Sequence, residues 1–403
     1  MSKIKVVQGG VTAAQGFRAA SLFAGIKPGN KNRHDMALVA STVLAVAGGV
    51  FTTNQVQAAP VRVSRLHLRS PQVSAVLLNS GNANAATGPS GIAAAKALAS
   101  GMAAALNCGT SQILVCSTGR IGVPLPREKM EGKLPELADQ LSVKGGTAAA
   151  RAIMTSDTFP KECAVEVAGP GGVFRLGGMA KGAGMIDPNM ATMLCLISTD
   201  AKISKRVLQN ALHHAVEKSF NRITVDGDMS TNDTVFVLAN GLAGAASLKV
   251  GSPDYALFVE ALDQVCLKLC HMIVEDGEGV SKFVTVQVLG GSSRQAARKV
   301  AEAIANSTLV KCAWAGNDPN WGRVLDAVGY CGVRIREELI DIYYEGLAAV
   351  RGGVPAPTPK DKLVGAVSEK RFTVTVDLHQ GKASYTVYTT DLTPAYVEFN
   401  LRE

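Results

Sequence analysis

Thr192 has the setting in this chain that most suggests chemistry. It follows Pro188, Asn189, Met190 and Ala191 and opens onto the apolar run Met193-Leu194-Cys195-Leu196-Ile197-Ser198. A constrained turn therefore leads straight into an expected buried strand at a hydroxyl residue. Strained backbone before a hydroxyl is what intramolecular peptide cleavage needs. The Thr192 hydroxyl could attack the Ala191 carbonyl, giving an ester that water opens and a new chain beginning at Thr192. A free α-amine has a reference pKa of ~7.7–8.0. Part of it is neutral near pH 7, so it can serve as base for its own hydroxyl. On residue type and spacing alone, an ordinary strand-initiating threonine is the commoner reading.

Five other places could act with it. Thr118-Gly119 follows the apolar Ile113–Cys116, where a plain turn is the simple alternative. Lys181 heads the Gly-rich Lys181-Gly182-Ala183-Gly184, and Thr158 closes Thr155-Ser156-Asp157-Thr158. Glu278 lies in Asp276-Gly277-Glu278-Gly279, and Asn400 stands near the end. The Glu278 loop looks superficially like a metal loop but lacks the further spaced carboxylates of an EF-hand. Six histidines make no zinc-type spacing, and eight cysteines are scattered without a CxxC pair. No metal site is expected, and reduced core cysteines fit better than a disulfide frame.

The elements that must position these residues alternate between two periodicities. Strands are expected at Met36–Val46, Val73–Leu78, Ile113–Cys116, Val173–Met179, Met193–Ser198, Val235–Leu238, Phe283–Leu289, Leu309–Ala313, Phe372–Val376 and Ala383–Tyr388, all rich in β-branched or large apolar residues. Helices are expected at Pro89–Leu106, at Lys205–Ser219 after Ser204, at Tyr255–Met272, at Ala296–Ala305 capped by Ser293, and after Thr393-Pro394. With 41 glycines and 16 prolines, this mixture predicts an α/β mixed-sheet sandwich with flanking helices. Gly352–Lys362, with three prolines, reads as a surface linker.

Composition excludes several function classes. No segment reaches the ~18 uninterrupted apolar residues of a membrane span; the nearest, Met36–Phe51, is broken by Ser41, Thr42, Gly48 and Gly49. The N-terminus lacks a secretory or transit pattern, and the expectation is a cytoplasmic protein. The net charge of +8 is dispersed without a basic run. It predicts a solvated surface that favours anionic metabolites, with no nucleic-acid and no membrane partner.

The segment Lys181-Gly182-Ala183-Gly184-Met185-Ile186-Asp187-Pro188-Asn189-Met190-Ala191-Thr192-Met193-Leu194 closely resembles the signature of the ornithine acetyltransferase family, the bifunctional glutamate N-acetyltransferases. The likeness extends to Gln8–Thr12, Asn79–Asn84, Cys116–Gly119, Thr155–Thr158, Asp226–Asp233, Asp276–Gly279 and Gly316–Arg323. The resemblance implies an N-terminal-nucleophile-like fold and self-cleavage between Ala191 and Thr192, giving an α chain 1–191 and a β chain 192–403. It implies Thr192 as nucleophile and the Thr118 hydroxyl with the Gly119 N–H as oxyanion hole. Thr158, Lys181, Thr192, Glu278 and Asn400 become substrate contacts, with Lys181 for a carboxylate and Glu278 for a cationic amine. The implied reaction moves acetyl from N-acetylornithine to glutamate in arginine biosynthesis, without a cofactor, in an assembly of two α and two β chains. Whether acetyl-CoA also donates is left open. Two competing readings remain: a hydrolase or aminopeptidase of similar fold, and an inactive binding homologue. Departures from the family pattern are the short tail after Asn400, Ala183, Ala86 and Arg120.

Overall fold

The computed structural model describes residues 3–27, 29, 32–187 and 193–401. It divides into two compact units. The first comprises Met1–Gly182, Asn189–Asn221 and Met229–Ile273; the second comprises Ala183–Pro188, Arg222–Asp228 and Val274–Glu403.

In the first unit the described strands are β1 (Ile4–Val7), β2 (Phe17–Leu22), β3 (Met36–Phe51), β4 (Val73–Asn79), β5 (Ile113–Ser117), β6 (Lys161–Gly169), β7 (Gly172–Lys181), β8 (Leu194–Thr199) and β9 (Thr234–Ala239). They form one mixed sheet in the order β1-β6-β7-β8-β9-β3-β4-β5, with β2 beside β3. β3 holds it together. Its first half pairs with β2 and β4; after a register shift between Ala40 and Ala45, its second half pairs with β9. Ser41 and Thr42 lie at that crossover, and the strand runs on to Phe51, past the expected end at Val46. The two halves of the sheet share one core: Val39, Val76, Leu78 and Leu114 from one, Met179, Leu194, Leu196, Phe236 and Leu238 from the other, with Ala149 and Ala150 of the helix Gly146–Ala152. Removing such contiguous apolar surface from water is the main stabilising term in a domain of this kind.

In the second unit β10 (Phe283–Gly291), β11 (Asp341–Tyr344), β12 (Leu347–Arg351), β13 (Val354–Pro355), β14 (Arg371–Asp377) and β15 (Ala383–Thr390) make a six-stranded sheet, order β13-β12-β11-β14-β10-β15. Only the β10–β14 pair is parallel among the described pairings. The helix Arg294–Ala305 buries Ala297, Val300, Ala301 and Ile304 in the core that includes Val286 and Val387. Ser293 caps it by accepting from the Ala296 N–H, as its sequence suggested.

Four expectations are corrected. Leu309–Ala313 is no strand but part of the helix Thr308–Ala315, capped by the Ser307 side chain, with Val310 and Trp314 buried one turn apart. A short apolar run cannot be assigned by periodicity alone. The strand expected from Met193 begins at Leu194, and Lys181 ends β7 instead of standing in a loop. Gly352–Lys362 is largely exposed, yet it is no linker: it forms the edge strand β13 and runs into the helix Lys360–Ser368. The strands β1, β2, β6, β11 and β12 carried too little apolar alternation to be recognised.

Candidate active site

At the end of β5 the backbone is locked before it reaches the candidate oxyanion residues. The Ser117 hydroxyl donates to Asn79 Oδ1 at 2.6 Å, and the Thr118 N–H donates to the Asn79 carbonyl at 3.0 Å. Asn79 in turn donates to the Asn82 carbonyl, and Asn82 donates to the carbonyls of Val123 and Pro124. The Asn79–Asn84 segment is thus a clamp built of amide side chains under the Thr118 turn. Gly119 has φ +131°, and a Cβ there would lie 2.4 Å from the Gly81 carbonyl carbon and 2.5 Å from the Asn82 nitrogen. Those neighbours are backbone and cannot swing aside. Gly119→Ala should therefore cost more than about 1 kcal/mol of stability, read as a lowered urea midpoint with an unchanged slope.

Lys181 is the functional side chain that the tertiary structure most changes. It pairs with Leu194 across β7–β8 and is only 2% exposed. Its Nζ donates to Thr118 Oγ1 at 3.4 Å and stands 3.9 Å from Asp157 Oδ2. Because Thr118 Oγ1 accepts there, its own proton is left to donate elsewhere. Asp157 takes hydrogen bonds from Lys161 Nζ at 2.6 Å, from the Gly182 N–H at 2.7 Å and from the Thr155 N–H at 2.9 Å. Lys161 is itself fully buried, with its ammonium 4.9 Å from the centre of the Phe159 ring. Thr158, which follows Asp157 in the chain, is exposed.

Burial alone would raise the Asp157 carboxyl, but the Lys181 and Lys161 ammoniums and the Gly182 N–H together hold it at about 2. A carboxyl depressed in the folded state adds stability above its unfolded pKa of ~3.9, and this is lost as pH falls through the folded value. Asp157→Asn leaves Lys161 without its buried counter-charge and should cost about 3–5 kcal/mol at pH 7. The difference from wild type should shrink between about pH 4 and 2. Urea titrations of both proteins across that range check the sign.

In the second unit, a cluster of polar groups surrounds Glu278. The Glu278 N–H donates to the Ala183 carbonyl at 3.0 Å, and a Cβ on Gly184 would sit 2.4 Å from the Glu278 carboxyl carbon. Thr393 caps the helix Pro394–Asn400 by accepting from the Ala395 N–H, and its hydroxyl donates to the Gly279 carbonyl. Asn400 Nδ2 then reaches Glu278 Oε2 at 3.3 Å. Asp226 accepts from the N–H groups of Met185 and Ile186 at 2.6 and 2.8 Å and from the Tyr396 hydroxyl at 3.3 Å; burial raises its pKa. Asp187 is pushed up to about 7, chiefly by burial.

Ala191 and Thr192, the expected cleavage point and nucleophile, lie outside the described residues. What brackets them is described. Met193 donates its N–H to Asp233 Oδ1 at 2.9 Å, and its carbonyl accepts from the Thr234 N–H at 3.1 Å. Asp157, Asn232 and Asp233 received no role from sequence reasoning. They were visible there only as parts of segments that matched the family; each has a partner distant in the chain, Gly182 for Asp157, Ser117 for Asn232 and Met193 for Asp233. Among the described residues no three His, Cys, Asp or Glu side chains are placed to hold a metal ion, and no helix is long and apolar enough to cross a membrane. The eight cysteines are all free thiols.

A strand-end hydroxyl beside a glycine N–H, backed by a buried lysine, is the kind of donor set that receives negative charge on an acyl oxygen. The chain belongs to the ArgJ family, matching it over residues 18–402. It is 45% identical to the arginine biosynthesis bifunctional protein ArgJ of Symbiobacterium thermophilum over 97% of this chain and 98% of the relative. It is 46% identical to the protein of the same name from Geobacter sulfurreducens, over 96% and 98%. Among solved structures it is similar to an ornithine acetyltransferase complexed with ornithine from Mycobacterium tuberculosis. That match is 42% identical, covers 46% of this chain and 98% of the other, and has a TM-score of 0.43.

Proposed function

We propose that this chain is an acyltransferase of arginine biosynthesis that moves acetyl from N-acetylornithine to glutamate through an ester on Thr192. Family membership supports the reaction class. The observation that carries the site assignment is the Lys181 ammonium donating into Thr118 Oγ1, which leaves the Thr118 proton free to donate to a developing oxyanion.

The steps follow from the groups. The Thr192 hydroxyl attacks the acetyl carbonyl while its α-amine takes the proton. The Thr118 hydroxyl and Gly119 N–H meet the charge on the carbonyl oxygen. The amide C–N bond breaks, the α-amine returns the proton, and ornithine leaves as an amine. Glutamate then attacks the ester through its own neutral amine, the acyl C–O bond to Thr192 breaks, the α-amine relays the proton from the attacking nitrogen to the Thr192 oxygen, and glutamate departs acetylated. Lys181 receives substrate carboxylate charge and Glu278, aligned by Asn400, receives the cationic amine, with Thr158 a further contact. The working form has two α and two β chains, residues 1–191 and 192–403, in the cytoplasm, which native mass and fractionation test.

Donor choice tests the reading of Glu278. Acetylornithine carries a carboxylate and a free amine; acetyl-CoA lacks both in that arrangement. The relatives are named as bifunctional, and both donors are expected to react here. Acetylornithine should lead by at least about tenfold in kcat/KM, a difference of ~1.4 kcal/mol that one charged hydrogen bond can supply. Glu278→Gln should erode that lead and leave cleavage intact. Equal turnover with both donors rejects the clamp. Product formation that ignores glutamate would point to a hydrolase instead.

A further inference from the structure

We propose that Asp233 is the positioning residue for the acyl-carrying threonine, holding in place the first peptide bond of the β chain. The proposal rests on the reading of Thr192 as nucleophile. The N–H that Asp233 Oδ1 accepts at 2.9 Å belongs to Met193, so it is the nitrogen bonded to the Thr192 carbonyl carbon. The next residue, Thr234, donates its own N–H to the Met193 carbonyl at 3.1 Å. Consecutive residues of one strand entry thus hold both backbone polar groups of Met193, which is itself buried.

The segment that supplies these contacts is rigidly tied. Asn232 Nδ2 donates to the Ser117 carbonyl at 2.8 Å and the Ala83 carbonyl at 2.7 Å. Ser117 is the residue before Thr118, so the turn that carries the oxyanion donors and the anchor of Met193 are adjacent links of one network. The Thr234 hydroxyl donates to the Asn232 carbonyl at 2.9 Å, and Asn232 N–H donates to Ser230 Oγ at 3.0 Å. The Asp233 carbonyl accepts from the Thr52 N–H at 2.9 Å, and the Thr52 hydroxyl donates to the Ser230 carbonyl at 2.8 Å. Acyl transfer is sensitive to the placement of the nucleophile at the ångström level, and an anchor one peptide bond away is the shortest lever available.

A carboxyl is a costly choice for this task. Asp233 is 0% exposed, and the hydroxyl residues Ser230 and Thr52 stand beside its carboxyl. A buried carboxyl is costly unless its oxygens are engaged, so its use here calls for a role. Burial raises the Asp233 pKa well above the usual range, against the opposing pull of the Met193 N–H and the Lys181 charge. What the Met193 N–H needs from this position is an acceptor oxygen. An amide keeps that acceptor; an alanine has none.

The experiment compares Asp233→Asn, Asp233→Ala and Thr192→Ala by intact mass during maturation, thermal unfolding, and kcat and KM of the matured fraction. Asp233→Ala should slow cleavage at least tenfold and lower kcat at least tenfold with KM within threefold, while Asp233→Asn restores cleavage and at least a tenth of kcat. Where Asp233→Ala does not fold, Asp233→Asn decides: a folded Asn variant that fails to mature overturns the proposal, because the group would then act through ionisation. Asp233→Ala that matures and turns over like wild type overturns it too, as does a loss confined to KM. Thr192→Ala separates the two claims: if it still cleaves, the nucleophile reading falls; if it stays whole while Asp233→Ala behaves as wild type, only the positioning role falls.

Discussion

Purified protein is expected to resolve on a denaturing gel into two pieces, residues 1–191 and 192–403, and Thr192→Ala is expected to remain one chain of 41.9 kDa. The chemistry needs only the Thr192 hydroxyl and the Ala191 carbonyl, so Thr192→Ser should still cleave. The pieces should co-purify under native conditions without a disulfide. β7 ends before the cut and β8 begins after it, and they pair from Leu176↔Thr199 to Lys181↔Leu194. β8 is also fixed on its other side by β9, and Met179 shares a core with Leu194 and Leu196. Separating the pieces would expose that ladder and core to water, a cost of many kcal/mol against one lost peptide bond. Mass spectrometry that finds the fully matured protein intact would overturn the cleavage and the N-terminal threonine chemistry with it.

Thr118→Ala is expected to lower kcat by roughly a hundredfold, the usual cost of removing one oxyanion donor, with KM within about threefold. The donor acts on charge present mainly in the transition state, so ground-state binding should barely change. Thr118→Ser keeps the hydroxyl and should recover most of the rate. The same turn can assist self-cleavage, so the matured fraction must be measured first and kcat expressed per cleaved chain. A change in KM alone would make Thr118 a substrate contact instead.

The main strands were legible because β4, β5, β8 and β9 are almost wholly apolar or β-branched and buried, while β10 and β14 alternate buried valines with half-buried residues. Buried strands of this kind advertise themselves by composition. β6 was missed because Lys161, Glu162 and Glu166 interrupt it, yet Lys161 is fully buried. The Asp157 carboxylate offsets the cost of that burial, and a charge pair outside a helix leaves no periodic trace. Thr308–Ala315 failed the other way, since eight residues of mixed apolar character suit a strand or a helix equally until Ser307 and the core around Trp314 decide.

By itself the sequence determined that Thr192, Thr118, Gly119, Lys181, Thr158, Glu278 and Asn400 were the residues to watch, because their local segments match one family's pattern. At Gly119 the sequence offered only a glycine after a strand; the φ of +131° that admits no ordinary side chain there belongs to the structure. Only the tertiary structure decided what those residues touch. It turned Lys181 from an expected loop lysine into the buried end of β7, shared between Thr118 and Asp157. It also brought Asp233 to the Met193 N–H across 40 residues of chain. Such contacts depend on strand order and register, and these are settled by which apolar faces pack together over the whole core, not by any segment's own composition.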